Sequence, residues 1–227
     1  MRTPRLPIPS SVSSAATLSA AVLLLCATAP ASASAAAPAS ASEAAPRVDD
    51  AATERFTTGL LSGGFETPAV PPPTPFTVHT AGQTLGPWTV GGDSVDLVSD
   101  RFWDAAGGHQ SVDLSGNAPG SVSQTVPTLP LTSYIVRFKL AGNVAQPPAV
   151  KKGEFRVNGA VVRTFSFDSA GRGFRDMGYV QQTAVFTTLL HTSATLTFAS
   201  TTPGYAGPVI DDVVVQSCLL VLCPPTG

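Results

Sequence analysis

YIVRFKLAG, residues 134–142, decides the fold class. Tyr134, Val136, Phe138 and Leu140 fall on one side of an extended chain, and Ile135, Arg137 and Lys139 on the other. A helical period would scatter the first four around its axis, so the stretch reads as a strand with one buried face. Alternation of this kind recurs on both sides of it. SVDLVS (94–99), QSVDLSG (110–116) and SVSQTVPT (121–128) come before it. VQQTAVFTTL (180–189), ATLTFAS (194–200) and PVIDDVVVQ (208–216) come after it. EFRVNGAVVRTFSF (154–167) reads as two strands around Asn158-Gly159, a dipeptide that suits the left-handed turn of a tight hairpin. Helical periodicity is almost absent after residue 56. The expectation is an all-β domain of about eight or nine strands, an antiparallel β-sandwich of jelly-roll type. PPPTP (71–75) is expected to be a stiff, exposed early loop.

Composition agrees with that reading. Charged residues make up only 12% of the 227, whereas glycine and proline number 20 and 21. Such a balance suits a turn-rich β protein. Arg2 and Arg5 precede an apolar run, AATLSAAVLLLCATA (15–29), which is too short and interrupted for a typical membrane span. Small-residue A-x-A sites follow at Ala31–Ala33 and Ala33–Ala35, so residues 1–35 read as a secretory signal peptide. Leu25 before Cys26 argues against a lipoprotein site. Residues 36–55 read as an Ala/Pro/Ser-rich linker, 56–217 as the β domain and 218–227 as a tail. An extracellular, soluble mature protein is expected. Loss of the leader leaves 11 basic residues against 15 acidic ones, a net charge of −4. No basic stripe is present, which disfavours nucleic acid as a partner. CPPTG ends the chain without an apolar tail, so no wall-sorting signal is expected.

Cys218 and Cys223 remain after cleavage, in CLLVLC. Export permits a disulfide between them. An extended run of five steps separates two Cα atoms by roughly 17 Å, however, and a bridge needs less than about 7 Å. The bridge therefore requires a turn that LLVL does not signal, and both the bridged and the free state stay open.

GPVIDDVVV (207–215) sets a puzzle. Strict alternation puts Val209, Asp211, Val213 and Val215 on one face and Ile210, Asp212 and Val214 on the other. At least one aspartate then lies among apolar neighbours, and an unpaired buried carboxylate costs several kcal/mol. Hydrogen bonds from backbone N–H groups to Asp211, with Asp212 in solvent, are one answer.

GGFETP (63–68), W-x-V-x-G-x-S-V-D-L-V (88–98), W-x-A-A-G-G-x-Q-S-V-D-L-S-G (103–116), GSVSQT (120–125), Y-x-V-x-F-x-L-A-G-N (134–143), MGY (177–179) and GPVIDDV (207–213) occur in one order. The ordered set resembles the bacterial choice-of-anchor C domain and the related plant cell-wall family called domain of unknown function 642 (DUF642), over about residues 60–216. The resemblance implies a galactose-binding-like jelly roll, an extracellular setting and an association with cell walls and polysaccharides. It brings no established catalytic residues. Ser62 departs from the pattern, which usually has Asn there. The resemblance also implies that the first strand, with GGFE, meets the last, with IDDV, at a structural Ca²⁺. Its ligands would be Glu66 and Asp211, with Thr67 and Asp212 as further candidates, and oxygen-rich coordination suits that cation.

The chain offers no catalytic constellation. His79, His109 and His191 show no zinc-ligand spacing, and there is no G-x-S-x-G elbow. Asp96 and Asp113 recur in V-D-L, but each reads as an outward strand residue rather than half of an acid–base pair. Sugar binding calls for exposed aromatic faces beside amide and charged groups. Trp88 is expected in the core. Trp103, in the polar loop SDRFWDAAGG, is either a sugar platform or buried under its loop. Tyr179 and Tyr205 sit in glycine-flanked loops as further platforms. Gln110 and Gln124 would bind hydroxyls, and Arg172 and Arg175 in AGRGFRD would meet a uronate; each also reads as plain surface. The expected function is a secreted, non-catalytic module that binds polysaccharide or cell-wall glycan. A protein-interaction module docking on a secreted wall enzyme or surface protein is the alternative, and a hydrolase the third choice.

Overall fold

The computed structural model describes residues 59–218. The expected signal peptide (1–35), the linker (36–55), Cys223 and all of the expected tail after Cys218 lie outside the described residues. Twelve strands follow one another: β1 (Phe76–Thr80), β2 (Thr84–Leu85), β3 (Trp88–Gly92), β4 (Ser94–Ser99), β5 (Gln110–Asp113), β6 (Gly120–Pro127), β7 (Thr132–Gly142), β8 (Val150–Val157), β9 (Ala160–Asp168), β10 (Val180–Thr188), β11 (Ser193–Ser200) and β12 (Pro208–Cys218). They form two six-stranded sheets, ordered β1-β4-β5-β12-β7-β10 and β2-β3-β6-β11-β8-β9. Every pairing is antiparallel, and no helix occurs among the described residues. The molecule is the expected jelly-roll sandwich.

The nine strands read from alternation are β4 to β12. Asn158 and Gly159, both at positive φ (50° and 84°), make the hairpin turn between β8 and β9. Three early strands were not legible. β1 follows a proline run, β2 has two residues, and β3 ends in Gly-Gly, so none shows a full alternating window. One expectation is corrected. GGFE is not a strand: Ser62 and Phe65 take positive φ (51° and 55°), and the segment turns on itself. It does meet the last strand, through a Val213 N–H that donates to the Gly63 carbonyl at 2.9 Å.

Between the sheets lies the core. Phe198 of β11 is its hub, with ring centroids 4.9 Å from Phe138, 4.9 Å from Phe155 and 6.1 Å from Trp88. Trp88 is fully buried, as expected, and its Nε1–H donates to the Ser62 carbonyl at 3.0 Å. Burial of one such aromatic stabilises by about 1.5–3 kcal/mol.

Strict alternation fails in β12. Ile210 pairs with Leu140 and Val215 with Val136, and paired residues share a face. Leu140 and Val136 are four apart and lie on the inner face; Ile210 and Val215 are five apart. A bulge between Asp211 and Val214, with Asp212 at φ 48°, takes up the extra residue. Val213 and Val215 therefore face the core with Ile210, whereas Asp211 stays on the outer face with Val209. The grouping of Asp211 with three valines is corrected accordingly.

Candidate functional site

Two features on the outer face of the first sheet draw together several of the residues singled out in the sequence, among them Glu66, Asp211, Asp212 and Tyr205. The first is a clasp around Asp211. Its Oδ2 accepts the N–H groups of Ala106 (2.9 Å) and Gly107 (3.0 Å), and its Oδ1 accepts that of Asp212 (2.7 Å). Glu66 Oε1 accepts the N–H groups of His109 (2.9 Å) and Gln110 (3.1 Å). The loop 104–110 thus lies between two acidic side chains and aims its amides at both. Gly107 and Gly108 permit this approach. A Cβ on Gly107 would lie 2.6 Å from Asp212 Oδ1, and one on Gly108 (φ 57°) would strike Glu66 Oε1. These hydrogen bonds answer the puzzle of the buried aspartate. Burial still pushes the Asp211 carboxyl up to about 7, against the pull of the three amides.

The clasp bears on calcium. N–H groups fill three of roughly four acceptor positions on Asp211, which leaves it about one position, on Oδ1, to offer a cation. The Thr67 carbonyl faces Gly86. Glu66 Oε2 and the Asp212 carboxylate accept no hydrogen bond among the described residues, and they flank adjacent glycines of one loop. Among the described residues no group of three or more His, Cys, Asp or Glu gathers to hold a metal.

The second feature is a groove of about 410 Å³. Phe76 and Val78 of β1 and Val98 of β4 form its apolar wall, with Phe102 beside them. Tyr205, 56% exposed, stands at its edge. Asn117 and Gln146, both exposed, bring side-chain amides, and Asp96 of β4 brings a carboxyl. Asp96 lies on the outer face because it pairs with Val78 on one side and Asp113 on the other. Its Oδ1 is buried without a hydrogen-bond partner, and burial raises its pKa to about 7. Asp113 is different. Its Oδ1 accepts the N–H groups of Ser115 (2.9 Å) and Gly207 (3.0 Å), and its Oδ2 accepts Asn143 Nδ2–H at 2.7 Å. It is fully buried, and burial pushes it up to about 7 despite those bonds. A saturated, inaccessible Asp113 leaves Asp96 without an acid–base partner in the groove.

Several expected ligand residues are structural. Trp103 borders the groove but is 1% exposed, and its Nε1–H donates to Ser111 Oγ at 2.9 Å; no ring face is open to a sugar. Tyr179 packs against the core, and burial raises its hydroxyl pKa. Gln110 is buried and clamps the N-terminal segment: its Oε1 accepts Val70 N–H (2.5 Å), and its Nε2–H₂ donates to the carbonyls of Phe65 (2.7 Å) and Pro68 (3.0 Å). Gln124, also buried, exchanges two hydrogen bonds of 2.9 Å with the Leu61 backbone. Neither amide is free for a ligand hydroxyl. Arg172 pairs with Asp176 at 3.2 Å. Arg175 donates to the Asp100 carbonyl (2.7 Å) and to Asp104 (2.9 Å). Of the platforms, only Tyr205 lies open in the groove. Sequence reasoning missed Asn117 and Gln146, which sit in loops without pattern; it read Asp96 as an outward strand residue, which is where it stands, but gave it no part in a binding site. Its position in an apolar strand, SVDLVS, was the available signal.

A family model described as "Protein of unknown function (DUF642)" matches residues 59–216. No curated protein matches. Among solved structures, a family 35 carbohydrate-binding module from Clostridium thermocellum is similar at 19% identity and a TM-score of 0.42, covering 62% of this chain and 96% of that one. TmCBM61, in complex with β-1,4-galactotriose, is similar at 20% identity and a TM-score of 0.48, covering 70% and 98%. The CBM22-1 xylan-binding domain of Paenibacillus barcinonensis Xyn10C is similar at 18% identity and a TM-score of 0.41, covering 63% and 93%.

Proposed function

We propose, from the premise that this chain belongs to the DUF642 family, that it is a non-catalytic module binding a polysaccharide segment in the outer-face groove. The observation that carries the reading is the groove's chemistry. An exposed aromatic, Tyr205, stands beside an apolar wall, with the amides of Asn117 and Gln146 and the carboxyl of Asp96 in the same cavity. Aromatic and aliphatic surface suits the C–H face of a sugar ring, and converging amide and carboxyl groups suit its hydroxyls. Export belongs to the same proposal. An oxidising compartment would permit the bridge between Cys218 and Cys223 that the sequence leaves open.

Native gels containing neutral polysaccharides such as galactan, xylan or β-glucan test it. At least one should retard the protein, and Tyr205→Ala should lose that retardation while keeping its melting temperature. A docking role is the second reading, favoured by one observation. Leu129, Leu131, Leu189 and Leu190 are 62–82% exposed on two loops that Leu131 N–H joins by donating to the Leu189 carbonyl. If no gel retards the protein and Leu131→Asp with Leu190→Asp abolishes capture of a wall protein, docking replaces sugar binding.

Calcium is a separate proposal. Glu66 Oε2 and the Asp212 carboxylate, with loop carbonyls, are the groups that would hold it; the cation would neutralise the two charges beside Gly107 and Gly108. Chelator should then lower the melting temperature of the wild type, and Asp212→Ala should remove the difference. A wild-type melt indifferent to chelator rejects the metal.

A further inference from the structure

Resting on that reading, we propose that the groove selects uncharged glycan chains and rejects uronate chains, and that Asp96 sets the choice. The charges around the groove carry the argument. None of its lining residues is Lys, Arg or His. The one ionisable carboxyl in it, Asp96, has a buried oxygen with no partner, and Asp113 stands opposite it on β5. The nearby buried cation, Lys151 of β8, is fully enclosed and donates its Nζ–H to the Gln146 backbone carbonyl at 2.7 Å. His79 of β1 points to the opposite face from Val78 and contacts Thr77 Oγ1 at 3.0 Å.

The arginines that would greet an acidic sugar are committed elsewhere. Arg101 donates to the carbonyls of Val70 and Thr74, both at 2.9 Å. Arg172 is held by Asp176, and Arg175 by Asp100 and Asp104. A uronate entering the groove therefore meets a carboxyl with one oxygen buried and no counter-charge among the lining residues. A neutral sugar meets the same carboxyl as a hydrogen-bonding partner for its hydroxyls. The raised pKa of Asp96 agrees with this: a carboxyl that already lacks a counter-charge gains a further penalty from a second anion.

The test oxidises at C6 each neutral hexose polymer that retards the protein and has free 6-hydroxyls, which turns its hexoses into uronates on an unchanged backbone, and runs the gel again; for xylan, whose pentoses have no C6, the uncharged chain is compared with glucuronoxylan. Polygalacturonate is included from the start. Oxidation should weaken wild-type retardation at least about tenfold, and Asp96→Asn should recover a large part of it. Lowering the pH from 8 to 5 should narrow the gap in the wild type, which needs no variant, because Asp96 takes up a proton while the uronate keeps its charge. Oxidised polymer that retards as strongly as its parent, or retardation by polygalacturonate alone, overturns the selection rule and leaves carbohydrate binding standing. Failure of every polymer overturns both.

Discussion

At the scale of single residues, four acidic side chains with similar lettering have three different fates. Asp211 is buried and satisfied by three amides, and Asp113 is buried and satisfied by two amides and Asn143. Asp212 sits in a bulge, and Asp96 lines the groove as a half-buried residue whose enclosed Oδ1 has no partner. The last has a consequence for stability. Burial raises the Asp96 pKa from 3.8 to about 7, so the folded state binds its proton more tightly than the unfolded state does. Between those values the folded protein holds more protons. Stability therefore falls as pH rises from about 4 to about 7, and the penalty is complete above that. Asp113 and Asp211 shift in the same direction. The protein should melt at a higher temperature at pH 5 than at pH 8. Asp96→Asn should raise the melting temperature at pH 8 and narrow the difference between the two. An Asp96→Asn melt below the wild type at pH 8 would show that the carboxylate has a stabilising partner.

At the scale of elements, the bulge in β12 decides most. It lets Val213 and Val215 return to the core while Asp211 stays outside to receive the 104–110 loop. The irregular 63–66 turn then docks on the bulge: Gly63 accepts the Val213 N–H, and a Cβ on Gly63 would strike the Val213 carbonyl oxygen. Because that obstacle is backbone, Gly63→Ala has no soft neighbour to displace. Overpacking of this kind costs about 1–3 kcal/mol, and each kcal/mol lowers the melting temperature of a domain this size by about 2–4 °C. Gly173→Ala, where a Cβ would meet nothing within 4 Å, is the control and should melt near the wild type. Equal melts for both would mean that the turn yields freely. The sequence carried the letters GGFE, AAGG and IDD as separate marks. The family resemblance implies that GGFE meets IDD; that the AAGG loop lies between them and supplies the amides was not legible, because a one-residue bulge has no periodic signature and reverses every facing after it.

At the scale of the whole molecule, two six-stranded sheets enclose an aromatic core, and the first sheet turns an outer face carrying both the clasp and the groove. β4 to β12 were readable because an antiparallel sheet buried on one side must alternate apolar and polar residues. The all-β class, the hairpin at Asn158-Gly159 and the core position of Trp88 followed from local pattern alone. The roles of Gln110, Gln124 and Trp103 did not. An amide that clamps a backbone 40 or more positions away looks, in one dimension, like an amide offered to solvent. The same holds for the groove. Asp96, Asn117, Gln146 and Tyr205 are spread over more than a hundred positions of sequence, and only the folding of β4 and three loops around one face brings them to a single cavity. Periodicity, a local property of the chain, determined that this protein is a sandwich. Which polar groups are consumed inside it and which are left to meet a ligand was decided by tertiary contacts, since hydrogen-bond saturation depends on neighbours that no spacing rule encodes.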